Sequence, residues 1–267
     1  MKLSRIALLS AVAGLCGAAG IRAYQRTADF GFGSNDSATN VKSEFYWSRL
    51  AYSSSMSSYG GYGGGYWGRS SWSRDYPKAD RQFLIAMHRL TRIDGRPYEQ
   101  VVNLDSDEIF NYPWIYAVQV QTWSFTEPEA KRLREYLLKG GFLMVDDFHG
   151  TQDWENFMTG LRQVLPDAPV EDLQQSDEIF HTLYDVDEKV QIPGEHYIRT
   201  NRTYEKDGYT PKWRGIRDKD GRIMVAICHN MHLGDAWEWA DDPNYPEPFA
   251  SAAFRVGLDY ILYGMTH

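Results

Sequence analysis

Residues 126–150 constrain the fold more than any other part of the chain. They read as a helix, a glycine stop, a short apolar run and then a polar burst. Thr126 and Glu129 have capping-box spacing, and Pro128 falls in the first turn, where a missing N–H costs little. Ala130, Leu133 and Leu137 recur at helical spacing, with Tyr136 widening the stripe. Lys139 suits the negative end of the helix dipole, and Gly140 suits a left-handed terminator. Phe142 to Val145 is continuously apolar, which fits a strand covered on both faces, as in parallel sheets. A second helix follows on Trp154, Phe157, Met158, Leu161 and Leu165, closed by Pro166. Helix, buried strand and helix in succession predict an α/β layer sandwich with helices on both faces of a mostly parallel sheet. Ligands of such sheets bind beyond the carboxyl ends of the strands, where Asp146, Asp147 and His149 stand.

The flanking segments extend the alternation. Phe45 to Tyr52 has strand character, and Tyr76-Pro77 opens a helix on Phe83, Leu84, Met87 and Leu90. Val101 to Leu104 and Trp114 to Val118 read as strands, so the order is β-α-β-β-α-β-α. Val170 to Leu173 suits a short edge strand. The state of Glu178 to Tyr184 is open, and Glu188 to Tyr209 reads as an irregular surface excursion. Trp213 to Ile216 and Arg222 to Ile227 flank a hairpin turn at Asp218-Lys219-Asp220-Gly221. Ile223 to Cys228 is a second buried strand, and it too ends in a polar burst, His229 to Glu238. A last helix on Phe249, Ala252, Ala253, Val256, Tyr260 and Ile261 closes the sheet.

The N-terminus has the composition of an export signal. Lys2 and Arg5 precede an apolar run, Ile6 to Ala19, that is short for a membrane span, and Ala18-Ala19-Gly20 suits cleavage. Lipidation at Cys16 ranks second because Leu15 is bulky, and an uncleaved tether third. The expected organisation is a signal peptide at 1–20, a flexible leader at 21–44 and one α/β domain at 45–267. That domain carries a low-complexity Ser/Gly/Tyr loop at 53–73, read as a mobile loop ahead of an aromatic flap. Cleavage takes the net charge from −8 to −10 and leaves Cys228 as the only cysteine. An acidic exported chain excludes nucleic acid as a partner and, once cleaved, has no membrane span.

With the segments placed, the chain resembles the bacterial domain-of-unknown-function family numbered 4159. The resemblance is carried by Phe110 to Tyr116, Leu137 to Phe148, Ile179-Phe180-His181, and Cys228-His229-Asn230 through Leu233-Gly234-Asp235 to Trp237-Glu238. It runs from about Phe45 to the C-terminus. It implies a three-layer flavodoxin-like fold similar to the class I glutamine amidotransferases, and no settled activity. The chain departs from the family at Asp177-Glu178, where His-Pro is usual, and at His232, where an acid is usual.

Three functions compete. In a cysteine hydrolase or amidotransferase, Cys228 would be the nucleophile, with His229, His149 or His181 as base. However, adjacent residues at a strand end point apart, and a glycine-flanked nucleophile elbow is missing. In a metal-dependent hydrolase, Asp146, Asp147, His149, His229, His232 and Asp235 would converge, since both bursts follow buried strands. The expectation placed first is a non-catalytic ligand-binding or scaffold domain of the cell envelope, periplasmic or extracellular, with a small-molecule, glycan or peptide ligand. Trp237, Trp239 and Tyr245 would supply its aromatic faces. The candidate residues are thus Cys228, His229 and His149 for catalysis and Asp146, Asp147, Asn230, Asp235 and Trp237 for ligand binding. No metal or cofactor is assigned by spacing alone.

Overall fold

Alternate residues along the central strands belong to two separate hydrophobic clusters, and this arranges the rest of the chain. The computed structural model describes residues 42–54 and 71–267, of which Ser43–His267 form one compact unit. The expected signal peptide with Cys16, nearly all of the leader, and most of the Ser/Gly/Tyr loop lie outside the described residues.

Seven strands form one sheet: β1 (Ser48–Ala51), β2 (Gln100–Asn103), β3 (Trp114–Val118), β4 (Phe142–Asp146), β5 (Glu171–Asp172), β6 (Lys212–Arg217) and β7 (Ile223–His229). Their order is β2-β1-β3-β4-β7-β6-β5. The first five run parallel, while β6 and β5 continue the sheet antiparallel to a short exposed edge. Six helices accompany them among the described residues: α1 (Lys78–Leu90), α2 (Glu127–Leu138), α3 (Gly150–Val164), α4 (His196–Thr200), α5 (Leu233–Glu238) and α6 (Glu247–Thr266).

Side chains of successive strand residues point to opposite faces. Trp114, Tyr116, Phe142, Met144 and Cys228 join Phe83 of α1 and Tyr260 of α6 in one cluster. Ile115, Ala117, Leu143, Val145 and Ile227 join Leu133 of α2 and Phe157 of α3 in the other. Both faces of β3 and β4 are therefore dry, which explains runs of apolar residues without alternation. The capping box at Thr126 and Glu129 starts α2, and Gly140 at φ 109° ends it, in the left-handed conformation that glycine takes without strain.

The structure revises several boundaries. Pairing in the first strand is confined to Ser48–Ala51, with Phe45 making only an isolated bridge to Gly95. Glu178–Phe180 is a 3-10 turn. Residues 188–209 are irregular and largely at the surface, as expected, except that Ile192, Pro193 and Gly194 are buried and the short α4 lies within the segment. The segment is tied down where Asp207 accepts from Thr151 N at 3.0 Å and Lys206 pairs with Asp153 at 2.5 Å. No helix among the described residues is long and apolar enough to cross a membrane.

Candidate functional site

The polar residues gather where the parallel strands end. Asp75 lies between β1 and α1, Gln119 follows β3, Asp147 follows β4 and His232 follows β7. Asp75, Gln119 and Asp147 all have positive φ, at 60°, 54° and 58°. A non-glycine residue there costs on the order of 1 kcal/mol or more, and such strain concentrates at functional sites. All three line one cavity of about 370 Å³, together with His232, Asp235, His196, Glu205 and Trp239.

The distances within this cluster are regular. His232 Nδ1 stands 3.4 Å from Asp147 Oδ1 and 3.2 Å from Asp235 Oδ2. His149 Nε2 stands 3.5 Å from Asp147 Oδ1 and 3.6 Å from Glu205 Oε1. His196 Nδ1 lies 3.2 Å from the same Glu205 oxygen. Nitrogen and oxygen ligands bound tetrahedrally at roughly 2.1 Å are about 3.4 Å apart, the edge of that tetrahedron. Asp147, His149 and His232 can thus surround one ion, as can Asp75, His232 and Asp235.

Electrostatics point the same way. Asp147 is 2% exposed and Asp75 8%, and a buried carboxylate needs a cation or several donors. Burial alone would raise the Asp147 pKa, but His232 and His149 outweigh it and hold it below its ordinary value. Burial opposes a charged His232, but Asp147, Asp235 and Asp75 overcome it and raise the His232 pKa well above the usual imidazole value. Asp235 is pushed up to about 8, mainly by burial, against the pull of His232. A divalent cation would satisfy the same carboxylates that otherwise hold that proton, and ligand imidazoles must be neutral to bind it. His232 is already oriented for the task, because its Nε2 bonds Asp75 Oδ2 at 2.7 Å, which leaves Nδ1 facing the other carboxylates. His149 is the unresolved member. It is 4% exposed, its Nε2 meets only the two carboxylates at 3.5 and 3.6 Å, and its Nδ1 has no hydrogen-bond partner among the described residues.

Gly194 makes room for the cluster. A Cβ there would lie 2.7 Å from Asp235 Oδ2, 2.9 Å from His232 Nδ1 and 3.3 Å from His196 Nδ1. Gly194→Ala should therefore weaken cation binding at least about tenfold, roughly 1.4 kcal/mol, in a competition titration against a chelating dye. An unchanged affinity would place the cation elsewhere.

The structure brings together only part of the candidate set. Asp147, His149, His232 and Asp235 converge; Asp146, His229, Asn230, Cys228 and Trp237 go elsewhere. Asp146 Oδ2 accepts from Tyr116 OH at 2.9 Å and from Gly234 N at 3.0 Å, and burial raises its pKa to about 6. Asn230, at φ 65°, accepts from Gly150 N and donates to Thr210 O, so it pins two loops. Cys228 is wholly buried in the cluster beneath α1 and α6, and burial pushes its pKa well up, the reverse of an activated nucleophile. His181 lies on the surface, paired with Asp185 at 2.8 Å. Trp237 is fully buried against Trp47 and Phe83, and Tyr245 donates to Pro193 O, so of the three aromatics only Trp239 lines the cavity.

His229 turns to the other face of β7, stacked on Phe148 at 4.8 Å with Nε2 3.1 Å from Gly150 O, an acceptor that requires the proton on Nε2. Burial lowers its pKa to about 4. The unfolded chain then binds this proton more readily, so stability falls as pH drops from about 6.5 to 4. His229→Gln should remove roughly 3 kcal/mol of that acid sensitivity, read from urea midpoints at both pH values.

Asp75, Gly194, His196 and Glu205 join the site without a motif to announce them. The adjacent Gly194-Glu195-His196 was the available signal, a glycine beside two potential ligands in a segment too irregular to place. Among known proteins, the family model described as Domain of unknown function (DUF4159) matches residues 59–265. No curated protein matches the chain.

Proposed function

The chain belongs to the DUF4159 family, and we propose that it serves there as an exported, metal-dependent hydrolase built on a flavodoxin-like, amidotransferase-like frame. The parallel order β2-β1-β3-β4-β7 supports the frame, since it follows the 2-1-3-4-5 pattern of that fold class, whose ligands bind at the strand carboxyl ends. The charged start at Lys2 and Arg5 and the apolar run to Ala19 support export to the periplasm or cell surface.

One observation carries the hydrolytic reading over both the cysteine route and the scaffold. Buried His149 turns Nε2 to Asp147 and Glu205 at 3.5 and 3.6 Å, long for a hydrogen bond and close to the separation of two ligands on one ion, beside the cavity that Asp147 and Glu205 line. Asp147, His149 and His232 would hold the ion, Asp75 would orient His232, and Asp235 or Glu205 would complete the set. A cation of the zinc class supplies Lewis acidity and an ionisable water when one position stays open. The cavity admits substrate to that position, and Asp235 or Glu205, whichever is not a ligand, is placed to take or return a proton.

The test uses chelator-stripped full-length chain with p-nitrophenyl acetate and bis-p-nitrophenyl phosphate as generic probes. Turnover of one ester should appear on adding Zn²⁺ or Mn²⁺ and vanish in Asp147→Asn. A chain that binds the ion but cleaves neither ester would favour a non-catalytic ligand-binding domain.

A further inference from the structure

A second cavity, about 660 Å³, adjoins the carboxylate–histidine cluster and shares Gln119 with it. Its volume is ordinary for a ligand site. Its lining is not ordinary for this chain, in which 24% of residues are charged. Gln119, Gln121, Asn156, Gln163 and Ser124, all with amide or hydroxyl side chains, are among the residues that line it. The two charged residues there, Lys206 and Asp153, neutralise each other across 2.5 Å. Trp123 contributes no free polar group, because its indole N–H already donates to Phe157 O at 3.1 Å.

These groups form a directed chain. Gln121 Nε2 donates to Gln119 Oε1 at 3.0 Å, and Gln119 Nε2 donates to Asp147 Oδ2 at 2.5 Å. The Gln121 carboxamide oxygen is left buried without a partner. A buried acceptor of that kind is destabilising unless a donor reaches it. Side-chain amides both donate and accept, and hydroxyls do the same. A ligand complementary to such a wall carries closely spaced groups that also do both, and no net charge. Sugar hydroxyls have that chemistry, whereas phosphate and carboxylate, which only accept, do not.

Resting on the cation-site proposal above, we infer that this groove binds a neutral oligosaccharide and leads one of its units to the cluster at Asp147. The strained backbone at Gln119 then acquires a purpose, since it sets one side chain at the junction of groove and cluster.

The experiment is calorimetric titration of the full chain, with and without added Zn²⁺, against cellotetraose, chitotetraose and maltotetraose, with tetra-alanine as the peptide alternative. At least one tetrasaccharide should bind. Gln121→Leu and Asn156→Leu should each weaken it about tenfold or more, and Asn156→Leu, which has no bond to the cluster, should leave Zn²⁺ affinity unchanged. Binding of tetra-alanine alone overturns the proposal in favour of a peptide. Binding of no saccharide, or binding indifferent to both variants, overturns it outright. Saccharide binding that persists in a chain unable to take Zn²⁺ upholds the groove and contradicts only the cation site, so the two failures are separable.

Discussion

His149→Ala should lower the affinity for a zinc-class cation by roughly a hundredfold or more, beyond the ten- to hundredfold typical of losing an outer-sphere partner. The variant removes a buried imidazole whose Nε2 faces Asp147 and Glu205, so the metal-free protein also loses packing and part of the charge that balances Asp147. Its melting temperature should fall by several degrees, because a buried side chain is deleted beside a buried carboxylate, so metal affinity is compared between variants that remain folded at the assay temperature. Asp75→Asn provides the contrast, since Asp75 touches His232 at Nε2, away from the nitrogen that faces Asp147. It should weaken binding by only about tenfold, through a less well oriented ring. Equal losses in the two variants would mean that His149 is not a ligand.

Asp80→Ala should cost about 3–5 kcal/mol of folding stability, the toll of stranding a buried charge. Asp80 lies in the first turn of α1 and is wholly buried. It receives Arg49 Nε at 3.1 Å, a second Arg49 nitrogen at 2.5 Å and the Trp47 indole N–H. Arg49 has no exposed surface, and its guanidinium lies 4.6 Å over the Tyr116 ring. Removing the carboxylate strands that charge. Removing both charges, in Arg49→Met with Asp80→Leu, should recover most of the loss, because the desolvation penalty disappears with them. The exposed pair Lys78–Asp241 should be worth about 1 kcal/mol or less when broken. Urea unfolding of the four proteins reads all of this. The network also reaches the site, since Tyr116 donates to Asp146, and Asp146 accepts from the first turn of α5, two residues after His232. Asp80→Ala should therefore weaken cation binding as well as folding.

How much of this was legible beforehand depended on how local the governing physics is. The capping box at Thr126, the terminator at Gly140 and the unbroken apolar run at Phe142 are local, and the structure has them where the pattern places them. The two polar bursts are local as well, and both do end parallel strands. Which burst residues meet is a matter of strand parity and backbone hand. Cys228 and His229 sit on opposite faces of β7 and neither faces the cluster, whereas Asp147 is swung to it by a left-handed turn that no spacing rule reveals. Trp237 reads as a cleft residue because it lies within the second burst. In the short α5 its position faces inward, and the aromatic core of Trp47 and Phe83 takes it. Asp75, Gly194, His196 and Glu205 come from segments without periodicity, folded over the site by tertiary contacts that sequence spacing does not encode.

The most direct measurement is elemental mass spectrometry on the purified full chain, as isolated, after chelation and after reloading. One zinc-class ion per chain that leaves with chelator, returns on reloading and is absent from His149→Ala is the expected result. No bound ion as isolated, and no uptake by the chelated chain, would contradict the cation site. It would leave Asp75, Asp147 and Asp235 as acids held in place by His232 together with the donors around them, Gln119 at Asp147 and the Glu195 N–H at Asp235.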